Sequence, residues 1–234
     1  MTDSSEVLVS AKDVVKTYVT GSVEAPALRG VTLDIQGGEF VSIVGPSGSG
    51  KTTFLNLIGA LDSVTSGTLS VLGKDVSAMS KRERADLRLK SLGFVFQAYN
   101  LVPVLTAREN VEFVLELQGV GGERVTQANQ ILEELGLTEF AGRRPLQMSG
   151  GQQQRVAVAR AVASRPKLVL ADEPTANLDG ENAETLMSMM RRLRDEHGMT
   201  FVFSTHDPRV IAHASRVVTL TDGKVSADEK RNGS

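Results

Sequence analysis

The apolar run FVSIV, Phe40–Val44, stops abruptly at GPSGSGKTT, Gly45–Thr53, and the helical pattern KTTFLNLIGAL overlaps the end of that loop. Nothing else in the chain restricts the fold as strongly. A buried strand that ends in a glycine loop and turns at once into a helix needs an α/β layer in which strand, loop and helix act as one unit. Glycines let successive backbone N–H groups point inward toward phosphate oxygens, where side chains would crowd the anion. The following helix aims the positive end of its dipole at the same place. The spacing satisfies G-x-x-x-x-G-K-S/T, which makes Gly45, Pro46, Ser47, Gly48, Ser49, Gly50, Lys51, Thr52 and Thr53 candidate phosphate-binding residues. In this pattern Lys51 reaches the β- and γ-phosphates and Thr52 ligates Mg²⁺. A flexible turn alone would explain the glycines but not Lys51 and Thr52 in register.

The rest of the chain fits that demand. FVSIV, GFVFQ, KLVLA, TFVFST and RVVTL are short β-rich runs that alternate with longer helical patterns, so the expected fold is α/β with a mostly parallel sheet buried on both faces. ENAETLMSMMRRLRDEHG places Leu186, Met189, Met190 and Leu193 on one helical face and Gly198 at the C-terminal cap; the methionines read as core filler. VLVSAKDVVKTYV, LRGVTLDIQGG and GTLSVLG alternate in the manner of a small antiparallel sheet. Strand signals vanish between Gln97 and Arg155, where TARENVEFVLELQG and VTQANQILEELGL read as helices of a separate α-helical subdomain. The expected division is a core at 6–96 and 163–228, a helical subdomain at 97–162 and a polar, disordered tail at 229–234.

A net charge of -2 and a pI near 6.0 argue against general affinity for nucleic acid or anionic lipid. KRERADLRLK is read as a solvated helix face capped by Ser80. With no cysteine there is neither a disulfide framework nor a thiolate metal site. The polar, acidic start MTDSSEVLVS does not read as a signal peptide, and no apolar run approaches the length of a membrane helix.

Asp172 and Glu173 close the apolar strand KLVLA, and at a strand end two successive carboxylates can both reach one site. One would hold the metal and the other would orient and deprotonate an attacking water. His206 follows TFVFST at another strand end, where α/β sheets collect ligand groups. His197 and His213 carry the plainer structural reading.

MSGGQQQR, Met148–Arg155, narrows the class, because it resembles the signature of ABC ATPases, with Met148 a volume-conserving departure from the usual Leu. Tyr18 in VVKTYVTG, the glycine loop, Gln97 in GFVFQ, MSGGQ, LVLADEP, ANLD and His206 in STHD match that family's motifs in order. The resemblance implies a P-loop NTPase (RecA-like) core that carries the antiparallel β subdomain and an α-helical signature subdomain. It further implies ATP and Mg²⁺, with Tyr18 stacking on adenine and Gln97 joining Thr52 and Asp172 around the metal. Glu173 would be the general base, and His206 would hold the γ-phosphate. Ser149, Gly150, Gly151 and Gln152 would complete the ATP site of a second subunit in a head-to-tail homodimer, with Asp179 at the interface.

The wording around the motifs is similar to the lipoprotein-releasing and macrolide-exporter ATPases, which engage membrane subunits with four transmembrane helices and a large extracytoplasmic domain. That resemblance implies a chain held peripherally at the cytoplasmic side of the inner (plasma) membrane. Its permease would dock near Gln97–Val102, with Tyr99, Leu101 and Val102 as exposed apolar residues; a loop packed on its own core accounts for them nearly as well. Polar-solute importers and the cell-division ABC ATPase share much of the wording. A soluble ABC ATPase would call for a coiled-coil insertion or a second cassette. A P-loop kinase leaves MSGGQQQR and Glu173 unexplained. Cargo selectivity would belong to the membrane subunit.

Overall fold

Two sheets organise the protein, and a computed structural model describes residues 6–231 of it. The chain opens with a hairpin of β1 (Val7–Thr20) and β2 (Val23–Gln36). β3 (Phe40–Val44) and α1 (Lys51–Ile58) then flank the glycine loop. β4 (Ser66–Val71), β5 (Lys74–Asp75), α2 (Lys81–Ser91) and β6 (Leu92–Val95) follow. The middle of the chain is helical, with α3 (Ala107–Leu117), α4 (Arg124–Glu134) and α5 (Gly150–Val162). It continues with β7 (Leu168–Asp172), α6 (Gly180–His197), β8 (Thr200–Ser204), α7 (Pro208–His213), β9 (Arg216–Thr221) and β10 (Lys224–Lys230).

The antiparallel sheet has the order β2-β1-β4-β5 and the larger sheet the order β10-β9-β3-β8-β7-β6. Every pairing from β9 to β6 is parallel, and only β10 runs antiparallel. Side-chain alternation sends neighbouring residues of each central strand into different cores. Phe201 and Phe203 of β8, with Phe40 of β3, pack beneath the helices of the middle segment and α6, while Val202, Val41 and Ile43 face α1 and the antiparallel sheet. The rings of Phe40 and Phe203 stand 4.5 Å apart in a tilted pair. Burial on both faces explains why these strands read as continuous apolar runs.

Capping sets the helix starts. Ser80 and Glu83 open α2 with a capping box, as do Thr106 and Glu109 for α3. On α6, Leu186, Met190 and Leu193 are buried as the spacing predicts, with Met187 beside them and Met189 half-buried; Gly198 ends the helix in the left-handed conformation. Among the described residues no helix is long and apolar enough to cross a membrane.

The expected tail needs correction. Glu229 and Lys230, placed in a disordered segment by composition, belong to β10 and pair with Val217 and Arg216. The stretch after β8 holds α7, β9 and β10. β10 is an edge strand with one solvated face, so it lacks an apolar signature. What holds it is the backbone ladder and the Arg216 guanidinium, which grips Asp228 at 2.7 Å and Glu39 at 2.9 Å. Hydrogen bonding to Asp228 raises the pKa of Arg216, and Arg216 in turn lowers that of Asp228. Residues 232–234 of that tail, and 1–5 of the polar start, lie outside the described residues.

Candidate functional site

The carboxyl ends of β3, β8, β7 and β6, neighbours in the sheet, deliver the glycine loop, His206, the Asp172–Glu173 pair and Gln97 to one place. Parallel strands with right-handed crossovers bring sequence-distant loops together in this way. The result is a cleft of about 670 Å³ lined by Gly45, Pro46, Ser47, Gly48, Gly50, Lys51, Thr52, Thr53, Gln97, Glu173 and His206, with Ala27 and Ala176.

Two glycines of the loop are required by contact as well as by backbone. A Cβ on Gly45 would lie 2.1 Å from the Leu220 carbonyl oxygen, and one on Gly50 would lie 2.6 Å from that of Ala27; both have positive φ. The loop is thus pinned between β9 and β2. Lys51 Nζ donates to the carbonyls of Gly45 and Pro46 at 2.8 and 3.0 Å, which bridges the loop with its own cation. Ser49 is buried and its Oγ has no hydrogen-bond partner.

Thr52 Oγ1 donates to Asp172 Oδ1 at 3.3 Å. Burial raises the pKa of Asp172, offset in part by that hydrogen bond, and the neighbouring Glu173 charge pushes in the same direction as burial. A hydroxyl and a carboxylate meeting beside a phosphate-sized cradle form the oxygen donor set that a hard cation such as Mg²⁺ takes.

Glu173 has a φ of 45°, unusual for a residue with a side chain, and its N–H donates to the Ser204 carbonyl at 2.9 Å. Its carboxylate is held at both oxygens: His206 Nδ1 lies 2.6 Å from Oε1, and Thr205 Oγ1 donates to Oε2 at 3.1 Å. Glu173 is mostly shielded from solvent while His206 is 77% exposed, so the histidine faces the open side of the cleft. Behind them, Asp207 accepts from Thr175 Oγ1 at 2.7 Å and from Arg209, an ion pair that moves its pKa down to about 2. This latch ties the loop after β7 to the loop after β8.

The signature turn lies elsewhere. Ser149 caps α5 through a reciprocal pair with Gln152, Oγ accepting from the Gln152 N–H at 3.3 Å and Gln152 Oε1 from the Ser149 N–H at 2.9 Å. Asp179 caps α6, accepting from Asn182 N–H at 2.8 Å, and these bonds lower its pKa. Gly151 fits closely against Asn182, where a Cβ would meet Oδ1 at 2.6 Å. None of Ser149, Gly150, Gly151, Gln152 or Asp179 lines the cleft. Met148 puts its side chain into the core beneath the helices.

The ABC transporter family profile matches residues 28–176, which include the glycine loop, the signature turn and the Asp172–Glu173 pair. The chain belongs to the ABC transporter family. As an ABC ATPase it hydrolyses ATP. It is 46% identical over 220 residues to an uncharacterized ABC transporter ATP-binding protein of Thermotoga maritima, covering 94% of each chain. It is 43% identical to the macrolide export ATP-binding/permease protein MacB of Syntrophobacter fumaroxidans, covering 94% of this chain and only 31% of that one. Among solved structures, the dimeric post-hydrolysis cassette MJ0796 of Methanocaldococcus jannaschii, bound to ADP and Pi, superposes with a TM-score of 0.88 at 44% identity, covering 96% of this chain and 99% of that one.

In this ABC ATPase, the geometry gathers eleven of the named residues in one cleft and excludes others. Asp172 stands behind Thr52, Ser49 is buried in the loop, and Tyr18 sits outside the lining on β1, 40% exposed, opposite Ala25. His197 and His213 pair with Glu134 and Glu184 away from the cleft. Sequence reasoning passed over Thr205, although it stands next to His206; a hydroxyl in a strand gives no sign of which carboxylate it will meet. It also passed over Thr175, Asp207 and Arg209, whose polar types suggested solvent rather than a latch between loops.

Proposed function

We propose that this chain is the ATP-hydrolysing subunit of a transporter whose permease is a separate membrane protein. The convergence of the glycine loop, Asp172, Glu173, His206 and Gln97 at adjoining strand ends carries this reading. Gly45–Thr53 enclose the triphosphate, and Lys51 exchanges the carbonyls of its own loop for the β- and γ-phosphates. Thr52, Asp172 and Gln97 would hold Mg²⁺, which supplies charge neutralisation at the phosphates. Glu173, held by Thr205 and His206, takes the proton of the attacking water, and His206 turns its exposed ring to the γ-phosphate. Tyr18 stacks on adenine. Ser149 to Gln152 and Asp179 point away from this cleft because they complete the cleft of a second copy in a head-to-tail homodimer. ATP closes that dimer and hydrolysis releases it.

An apolar groove of about 480 Å³ lies between α2, β6 and α3, walled by Leu61, Leu89, Phe94, Phe96, Val102 and Phe113. It begins just past Gln97, so a permease helix seated there would sense the cleft. Val102 lines it, while Leu101 is packed against the chain's own core, so the Gln97–Val102 segment divides between groove wall and core packing. The likeness to MacB favours an extruder of lipoprotein, drug or peptide cargo with a four-helix permease and a large extracytoplasmic domain. That would hold the chain peripherally at the cytoplasmic face of the membrane. The test is to tag the chain, extract native membranes in mild detergent and identify what co-purifies. A permease with four transmembrane helices and a large extracytoplasmic domain supports the extruder; a multi-helix permease with a solute-binding protein makes the chain an importer subunit. Recovery of no membrane protein overturns the transport role.

A further inference from the structure

Lys16 is a buried ammonium that the reading above leaves without a task. Its Nζ donates to Asp62 Oδ1 at 2.7 Å and to the Ser63 carbonyl at 2.8 Å, and the residue is only 8% exposed. The same Nζ stands 4.9 Å from the centroid of the Tyr18 ring. Asp62 belongs to the connection that follows α1, the helix rooted in the glycine loop. It accepts from the Ser63 N–H at 2.7 Å. Burial pulls its pKa up, but hydrogen bonding, led by Lys16 and the Ser63 amide, outweighs it and holds the carboxyl below its ordinary range. Tyr18 thus has a cation over its face, and Asp62 and the Ser63 carbonyl hold that cation in place. Its strand borders the cleft: Tyr18 pairs with Ala25, and the register shift between Lys16 and Thr17 leaves the cleft residue Ala27 without a partner on β1.

We propose that Lys16 and Asp62 are positioning residues that lock the Tyr18 ring, before nucleotide arrives, as a stacking plate for the base. This rests on the assignment of Tyr18 to adenine. The ammonium on one face restrains the ring by cation–π attraction, and Asp62 holds the ammonium at that place. The base then meets a ring whose rotamer is already fixed, so less ordering entropy opposes binding.

The purified chain is titrated with ATP and, separately, with inorganic tripolyphosphate, which carries the phosphates without a base. Lys16→Met and Asp62→Asn should each weaken ATP binding by about three- to tenfold, with tripolyphosphate binding unchanged. KM for ATP should rise in parallel while kcat at saturating ATP stays as in the parent. Tyr18→Ala serves as the reference for loss of the plate. If Tyr18→Ala weakens ATP and the other two do not, the lock is overturned and base stacking stands. If Tyr18→Ala leaves ATP affinity unchanged, the assignment of Tyr18 itself fails and the lock falls with it. Equal losses for ATP and tripolyphosphate would also overturn it, since they would make Lys16 and Asp62 a general brace for β1.

Discussion

The cleft and the signature turn are both built for phosphate chemistry in the proposed reading, yet they are finished to different degrees. The cleft is concave, assembled from four strand ends, and holds a lysine bonded to its own loop and a carboxylate held by Thr205 and His206. The signature turn caps one helix, satisfies itself through Ser149 and Gln152, and does not line the cleft. A pocket needs several elements to converge, whereas a helix start needs only its cap. In the proposed reading, one copy of this chain carries one whole cradle and a turn that closes the cradle of a second copy.

Breaking the cleft should have the largest effect. Glu173→Gln is expected to keep ATP binding while kcat falls by about 10² to 10⁴-fold, the usual worth of a general base. Steady-state ATPase assays and light scattering with ATP would check it. The variant should accumulate as an ATP-bound dimer, and wild-type turnover or a persistent monomer would remove Glu173 from the role of base.

Breaking the turn should leave the cleft intact. Ser149→Arg is expected to lower ATPase activity by about a hundredfold, with ATP affinity of the isolated subunit preserved, because donors aimed at a developing charge are worth that much. Titration calorimetry beside the ATPase assay separates the two regions; equal loss in both measurements would mean that the turn belongs to its own cleft.

Gly50→Ala sharpens the same contrast from the cleft side. The new methyl would press on the Ala27 carbonyl at a positive φ, so a stability loss of about 1–3 kcal/mol and weaker ATP binding are expected. Urea unfolding and nucleotide titration measure both effects.

The smallest effect concerns the latch behind Glu173. Asp207 is held chiefly by Arg209, with its pKa lowered from 3.8 to about 2, so its carboxylate contributes stability above pH 3.8 that is lost as pH falls toward 2. Asp207→Asn should cost about 1–2 kcal/mol at neutral pH, and the difference from the parent should shrink across that acid window. Urea unfolding at a series of pH values checks the sign; a difference that grows on acidification would contradict it.

Much of this was legible because the relevant signals are local. FVSIV before GPSGSGKT fixed a strand, a loop and a helix within one short segment, and Ser80 announced a helix start through a side chain three residues from its partner. β10 was not legible, since its stability comes from a backbone ladder to β9 and from Arg216, while its own side chains are polar. Thr205 and Asp207 were hidden for a related reason: a polar residue does not advertise whether it meets water or a carboxylate brought in from another strand.

By itself, then, the sequence determined the α/β alternation, the glycine cradle and the residue types able to handle a phosphate, because those depend on period, spacing and backbone freedom along the chain. Only the tertiary structure decided that His206 bonds Glu173, that Asp62 pairs with the Lys16 standing over Tyr18, and that the signature turn stands apart from the cleft. Each of those facts joins residues far apart in the chain, and their distances follow from strand order and packing, which no local pattern contains.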